Sequence, residues 1–385
     1  MSADKLSPVE FPEPFADQDR VPETGVGLCL SGGGYRAMLF HAGVLWRLND
    51  LGYLKRFNRI SSVSGGSIIA AQLGLQWSHL HWRGDVAQNF AELVIAPIQK
   101  LASMTIDVKS VIGGVLTPWV SVSDKVVKAY RDHLYGNATL QSLPDDMTGP
   151  RFVINATNIQ SGAIVRFSRP YLADYRVGRL MSPTVPLAVA VAASSAFPPV
   201  LSPARLKIPD GAVERTNGAD LHRVPYTTDF VLTDGGVYDN LGLETVWKQH
   251  RTVIVSDGGG QMAAEPSPAT DWVRHSLRIN ALIDNQVRSL RKRQVVGSLE
   301  RKERNGAYWR MRSNIRKFSA PSTLPCPFDR TQILAETPTR LAKMENLLQE
   351  RIMNWGYAIA DAGMRSWVDP TLPAPSSFPF PSSGV

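Results

Sequence analysis

The apolar positions of this chain fall first into two strand-to-helix junctions. Val26-Gly27-Leu28-Cys29-Leu30 is a short apolar run, long enough for a buried strand and too short for a helix. After Ser31-Gly32-Gly33-Gly34 the pattern turns helical, from Arg36 to Leu51. Residues 59–63 repeat the strand pattern and residues 65–76 the helix pattern, with Ser64 at the junction. Units of this size predict a mostly parallel sheet covered by helices, an α/β fold. Further strands are predicted at 151–157 and 163–167 (as a hairpin), 230–233 and 252–256. A small-residue helix is expected at 185–195, before Pro198-Pro199. Residues 271–303 read as one or two long basic helices. Residues 339–360 read as an amphipathic helix with Leu341, Met344, Leu347, Leu348, Ile352, Trp355 and Ile359 on one stripe.

Breaks in this pattern suggest an organisation. Residues 1–23 are Pro- and acid-rich and are expected to form a loose arm. Residues 24–265 form the α/β domain, interrupted at 77–150 by a helical insert. The insert's apolar residues (Val94, Ile95, Ile98, Val111, Ile112, Val115, Leu116, Trp119) suit core packing better than a lid or a membrane-touching surface. Residues 266–366 form a basic helical region packed on the domain, and 367–385 a loose Pro/Ser-rich tail.

Composition narrows the class. Of the 385 residues, 43% are apolar and 20% charged, enough for a large core and against wholesale disorder. Two cysteines, Cys29 and Cys326, supply neither a disulfide framework nor a metal cluster. No His/Cys/Asp group has ligand spacing, so no metal and no cofactor is expected. With no leader-like or membrane-spanning run, the expected location is cytoplasmic, peripheral to membrane at most. The net charge of +8 is uneven: Arg274 to Lys317 holds thirteen Lys and Arg against Asp284, Glu300 and Glu303. Such a segment is either a solvated face or a contact for an anionic membrane. Nucleic acid is the weaker reading, since no nucleic-acid motif accompanies it.

The junctions carry the candidate chemistry. A serine between strand and helix, flanked by Gly65 and Gly66, is how a fold lifts a nucleophile clear of the backbone. Gly32, Gly33 and Gly34 let backbone amides approach a developing negative charge, as an oxyanion hole requires. Nucleotide phosphate is the competing ligand, but Tyr35-Arg36-Ala37 stand where a P-loop needs Lys-Ser/Thr. Arg36 could brace the loop or neutralise a phosphate. Two strands end in Asp-Gly-Gly, at Asp234-Gly235-Gly236 and Asp257-Gly258-Gly259. Either aspartate could serve as base, at the C-terminal strand ends where α/β sheets place their crevice. None of the seven histidines lies in a glycine-rich turn, and a Ser-Asp dyad needs none.

In this order the motifs resemble the patatin-like phospholipases, which share their catalytic architecture with cytosolic phospholipase A2. Ser31-Gly32-Gly33-Gly34-Tyr35-Arg36-Ala37 is similar to the family's oxyanion loop. Ser62-Val63-Ser64-Gly65-Gly66 is similar to its G-x-S-x-G elbow, with Ser62 departing from the first glycine. Asp234-Gly235-Gly236, followed by Asn240, is similar to its catalytic Asp-Gly-Gly/Ala, which favours Asp234 over Asp257. Ala193-Ser194-Ser195-Ala196-Phe197-Pro198-Pro199-Val200 is similar to a further block expected to line the crevice. The resemblance implies a three-layer patatin-like fold and hydrolysis of lipid acyl esters through a Ser64–Asp234 dyad and an acyl-enzyme. A soluble carboxylesterase or acyltransferase with the same dyad, or a non-catalytic lipid-binding module, are the alternatives.

Overall fold

The computed structural model describes residues 23–106 and 122–385. Strand β1 (Glu23–Leu30) leads into α1 (Gly34–Asp50), and β2 (Arg59–Val63) into α2 (Gly65–Gln76), as the apolar pattern predicts. The insert opens with a small hairpin, β3 (Trp82–Arg83) and β4 (Val86–Ala87), which the sequence reading missed. It continues through a wide helical turn, Ala91–Ile95, into α3 (Ala96–Ala102), then α4 (Val122–Tyr130) and a second wide turn, Arg131–Tyr135. Val94, Ile95 and Ile98 are buried, whereas Val111, Ile112, Val115, Leu116 and Trp119 lie outside the described residues.

The main sheet resumes with β5 (Arg151–Asn158), β6 (Ala163–Phe167), β7 (Tyr171–Asp174) and β8 (Gly178–Met181). Then come α5 (Leu187–Ser194), β9 (Ala204–Lys207), β10 (Asp229–Asp234), the short helices α6 (Gly236–Asp239) and α7 (Glu244–Trp247), and β11 (His250–Asp257). The C-terminal region adds α8 (Trp272–Glu300), β12 (Asn305–Arg310), α9 (Phe328–Ala335) and α10 (Asn346–Trp367).

Ten strands form one sheet. Its parallel part runs β12-β11-β1-β2-β5, and the antiparallel strands β6, β7 and β8 extend it. A strand has two edges. On one edge of β5 lies β6; the other edge is shared by β2 and β10. Strand β2 runs parallel to β5 and ends with Val63 opposite Asn155. Strand β10 runs antiparallel to β5 and ends with Asp234 opposite Ala156. The two strands therefore meet head to head. This corrects the expectation that Asp234 ends a parallel strand; Asp257 is the aspartate that does.

Side-chain alternation along the strands builds two cores. Leu28, Leu30 and Ile254 pack under α1, α2 and α10. Cys29, Val253 and Val255 face the other way, against Leu243 and Val246 around α7 and Val295 of α8. The result is three layers. Helices α1 and α10 cross with backbones nearly touching: a Cβ on Gly43 would fall 1.9 Å from the Met353 carbonyl oxygen. A buried trio locks this crossing, with Asp361 bound by Arg47 at 2.7 Å and by Arg365 at 2.8 Å.

Two expectations for the C-terminal region change. Helix α10 starts at Asn346 rather than at 339, because residues 341–344 bond to the insert instead. Ile106 N–H donates to the Leu341 carbonyl at 2.8 Å and Met344 N–H to that of Ala102 at 2.8 Å. The tail is irregular yet held: Asn354 donates to the carbonyls of Phe380 and Gly384, each at 2.8 Å. Phe380 packs edge-on to Trp46, and Phe378 and Val385 are buried.

Candidate active site

Ser64 stands between β2 and α2 at φ 52°, ψ −121°. A non-glycine residue there is strained, and such strain persists only where surrounding contacts hold it. The Ser64 N–H donates to Ser194 Oγ at 3.0 Å, and Ser194 Oγ donates in turn to the Asn155 carbonyl at 2.6 Å. Ser67 Oγ lies 2.8 Å from Ser194 Oγ and 3.0 Å from Ser62 Oγ. Ser62 thus joins a buried chain of hydroxyls under the elbow, and its departure from glycine leaves the strained turn intact. Gly65 and Gly66 form the first turn of α2, pressed so closely on the glycine loop that a Cβ on Gly65 would sit 2.2 Å from the Gly34 carbonyl oxygen.

Asp234 is 2% exposed. Its Oδ1 accepts the Gly236 N–H at 2.7 Å, while Gly235 N–H donates to the Ser194 carbonyl at 3.2 Å. Oδ2 has no partner in ordinary hydrogen-bond geometry. Burial pushes the Asp234 carboxyl up to about 7; the Gly236 amide and the nearby Ser64 hydroxyl pull it down, and the Asp284 carboxylate raises it. A buried carboxyl poised near neutrality beside a serine can accept that serine's proton.

The glycine loop closes the third side. Gly32 N–H is engaged by the Asn240 carbonyl at 3.0 Å, which removes it from the expected oxyanion set. Among the described residues, the Gly33 and Gly34 N–H groups donate to no protein acceptor. Gly34 has φ 61°, and the Arg340 backbone covers it, the Arg340 carbonyl accepting Tyr35 N–H at 3.0 Å. Arg36 braces this assembly. Buried, it donates to the Gly258 carbonyl at 3.2 Å, to Thr339 Oγ1 at 3.0 Å and to the Thr337 carbonyl.

Asp257 has a different environment. It pairs with Lys292 at 2.7 Å and accepts from Tyr308 Oη at 2.9 Å. Burial raises its pKa, but the Lys292 ammonium, the Gly259 amide and the Tyr308 hydroxyl together outweigh that and leave the carboxylate below its ordinary range. Among the described residues no histidine hydrogen-bonds to Ser64 or Asp234; buried His41 instead bridges Ser256 Oγ and the Ser31 carbonyl. No group of His, Cys, Asp and Glu among the described residues could hold a metal ion.

Three neighbours escaped sequence reasoning. Ser67 and Asn155 support the elbow, and Asp284 of α8 acts on Asp234 electrostatically. Nothing in their local pattern marks them. Tyr130, from the insert, lies 3.2 Å from Ser195 Oγ, beside the block expected to line the crevice.

The family model described as patatin-like phospholipase matches residues 28–247, more than half of the chain. Among solved structures, the chain is similar to human GIVD cytosolic phospholipase A2 in complex with methyl gamma-linolenyl fluorophosphonate. That match has 14% identity and a TM-score of 0.50, covering 89% of this chain and 58% of that one. A structure of the same human protein with that inhibitor and terbium chloride gives 14% identity and a TM-score of 0.50, covering 89% and 59%. The chain thus spans less than two thirds of the length of these human structures, and at this identity the likeness shows the fold. No curated protein matches the chain. With the family model laid over the elbow, the glycine loop and the Asp-Gly-Gly of β10, the chain belongs to the patatin-like phospholipase family.

Proposed function

We propose that the protein hydrolyses acyl ester bonds of lipids, phospholipids in particular, with Ser64 as nucleophile and Asp234 as base. The supporting observation is the meeting of β2 and β10 on one edge of β5, which brings a strained serine and a buried carboxyl together. Asp234 takes the proton from Ser64 Oγ, which attacks the ester carbonyl. The unengaged amides of Gly33 and Gly34 stabilise the tetrahedral oxyanion. The leaving alcohol takes up the proton, and an acyl-enzyme remains. Asp234 then activates water, which releases the fatty acid and regenerates the serine.

Substrates of this kind reside in lipid aggregates, and α8 offers a face suited to them. At the helical period, Trp272, Ile279, Ile283, Val287 and Leu290 fall on one side, and Trp272 is 80% exposed. Many of the helix cations face inward instead. Lys292 pairs with Asp257, and Arg291 with Glu244 and Asp239. Peripheral contact with membrane therefore rests on the apolar face more than on the basic charge. Among the described residues no helix is long and apolar enough to cross a membrane.

The test is hydrolysis of phospholipid vesicles together with fluorophosphonate labelling. Ser64→Ala is expected to abolish both, and Asp234→Ala to abolish turnover, with the melting transition preserved in each. Turnover retained by either variant would refute the assignment.

A further inference from the structure

The sequence holds two Asp-Gly-Gly motifs, and the proposed chemistry uses one. The other ends β11, and beside it opens a cavity of about 270 Å³ walled by Gly260, Asn285, Ser289, Lys292, Arg310 and Arg312. A second cavity, of about 360 Å³, shares Arg310 and Arg312 and adds Lys317, Phe318 and Phe328.

This corner is crowded with positive charge. Five cations (Arg36, Arg288, Lys292, Arg310, Arg312) gather around residues 257–260. Facing them are two carboxylates, Asp257, engaged by Lys292 at 2.7 Å, and Asp284, engaged by Arg288 at 2.6 Å. Among the described residues neither Arg310 nor Arg312 forms an ion pair. Arg312 donates from Nη1 to Gln332 Oε1 at 3.3 Å, but its Nε is buried without a partner. Arg288 Nε is orphaned in the same way. Burial lowers the pKa of Arg36 to about 10, Asp257 opposing and the neighbouring Arg312 and Arg288 adding to the fall. Orphaned buried donors and crowded guanidinium groups both carry a cost that an anion relieves.

We propose that this cavity is a binding site for a phosphate group. Guanidinium forks match phosphate oxygens in pairs, and the Lys292 ammonium and the Asn285 amide on the same wall supply further donors. The apolar rings of the adjoining cavity suit the carbon portion of a phosphate ester. The site is also joined to the glycine loop: Gly259 lies against Asn240, whose carbonyl holds Gly32 N–H at 3.0 Å. The phosphate has two possible sources, the headgroup of a phospholipid substrate or a free phosphate compound. The headgroup source rests on the reading of this protein as a phospholipase.

Calorimetric titration of the full chain carrying Ser64→Ala with inorganic phosphate and with glycerol 3-phosphate tests binding without requiring turnover. Binding is expected, and Arg312→Gln should weaken it about tenfold, the scale of one lost charged hydrogen bond. Exposed Arg310→Gln is a second variant with little risk to folding. If the source is the headgroup, both variants in the active enzyme raise KM for phospholipid and leave a neutral p-nitrophenyl ester unaffected. If the source is a free phosphate compound, the variants lose binding and the ratio of the two substrates stays constant. Absence of binding to Ser64→Ala, or binding indifferent to both arginine variants, overturns the proposal. Failure to cleave the neutral ester, with phosphate binding intact, would instead count against the dyad.

Discussion

At the scale of single residues, the proposed dyad makes a prediction through the carboxyl of Asp234. Burial holds it near 7, so a base role requires pH above that value. The expected profile of kcat/KM is a single rising limb with a midpoint about 7, lost as pH falls because the carboxyl becomes protonated and cannot accept the Ser64 proton. Asp284 raises that pKa, so Asp284→Asn should move the midpoint down, in a stopped-time assay on a soluble ester. An unmoved midpoint would assign the titration to another group. The candidates Ser64, Asp234 and the glycines stand out in the sequence because each motif is contiguous. The support that Ser67 and Asn155 give through Ser194 could not, for these residues come from two helices and a strand that only folding brings together.

At the scale of elements, α8 departs most from its sequence reading. Its charge was visible, but the direction of that charge was not. Arg291 and Lys292 turn toward acidic side chains near the strand ends, leaving apolar residues outward. A contact made by charge weakens as salt screens it within about 10 Å at 0.1 M; one made by apolar burial does not. Vesicle flotation of the protein should therefore persist at high salt and fall sharply in Trp272→Ser/Leu290→Ser, with soluble-ester turnover unchanged. Release by salt alone would return the contact to the cations. The start of α10 differs from its apolar period for a comparable reason. Leu341 and Met344 carry the helical spacing and are buried, yet their backbones pair with residues 102–106, and a tertiary pairing overrides a local period.

At the scale of the whole molecule, the parallel strands and their helices were legible because strand, turn and helix follow one another along the chain. The direction of β10 was not. Pairing between residues 232–234 and 156–158 is decided by the completed sheet, and an apolar run of that length fits either orientation. The tail escaped for lack of pattern: Pro- and Ser-rich, it is fixed by Asn354 and Trp46, residues remote in sequence.

The collinear arrangement of β2 and β10 makes β5 the ruler of the site. Val63 is set by Asn155 and Asp234 by Ala156, so the gap between acid and alcohol is gauged by a single peptide unit. One alanine inserted between Asn155 and Ala156 would lengthen that gauge by about 3.3 Å, the rise of one strand residue. Both side chains of the proposed dyad would survive, along with every recognisable motif. The proposed proton transfer would not, and the lesion would lie in a strand that contributes neither of its groups.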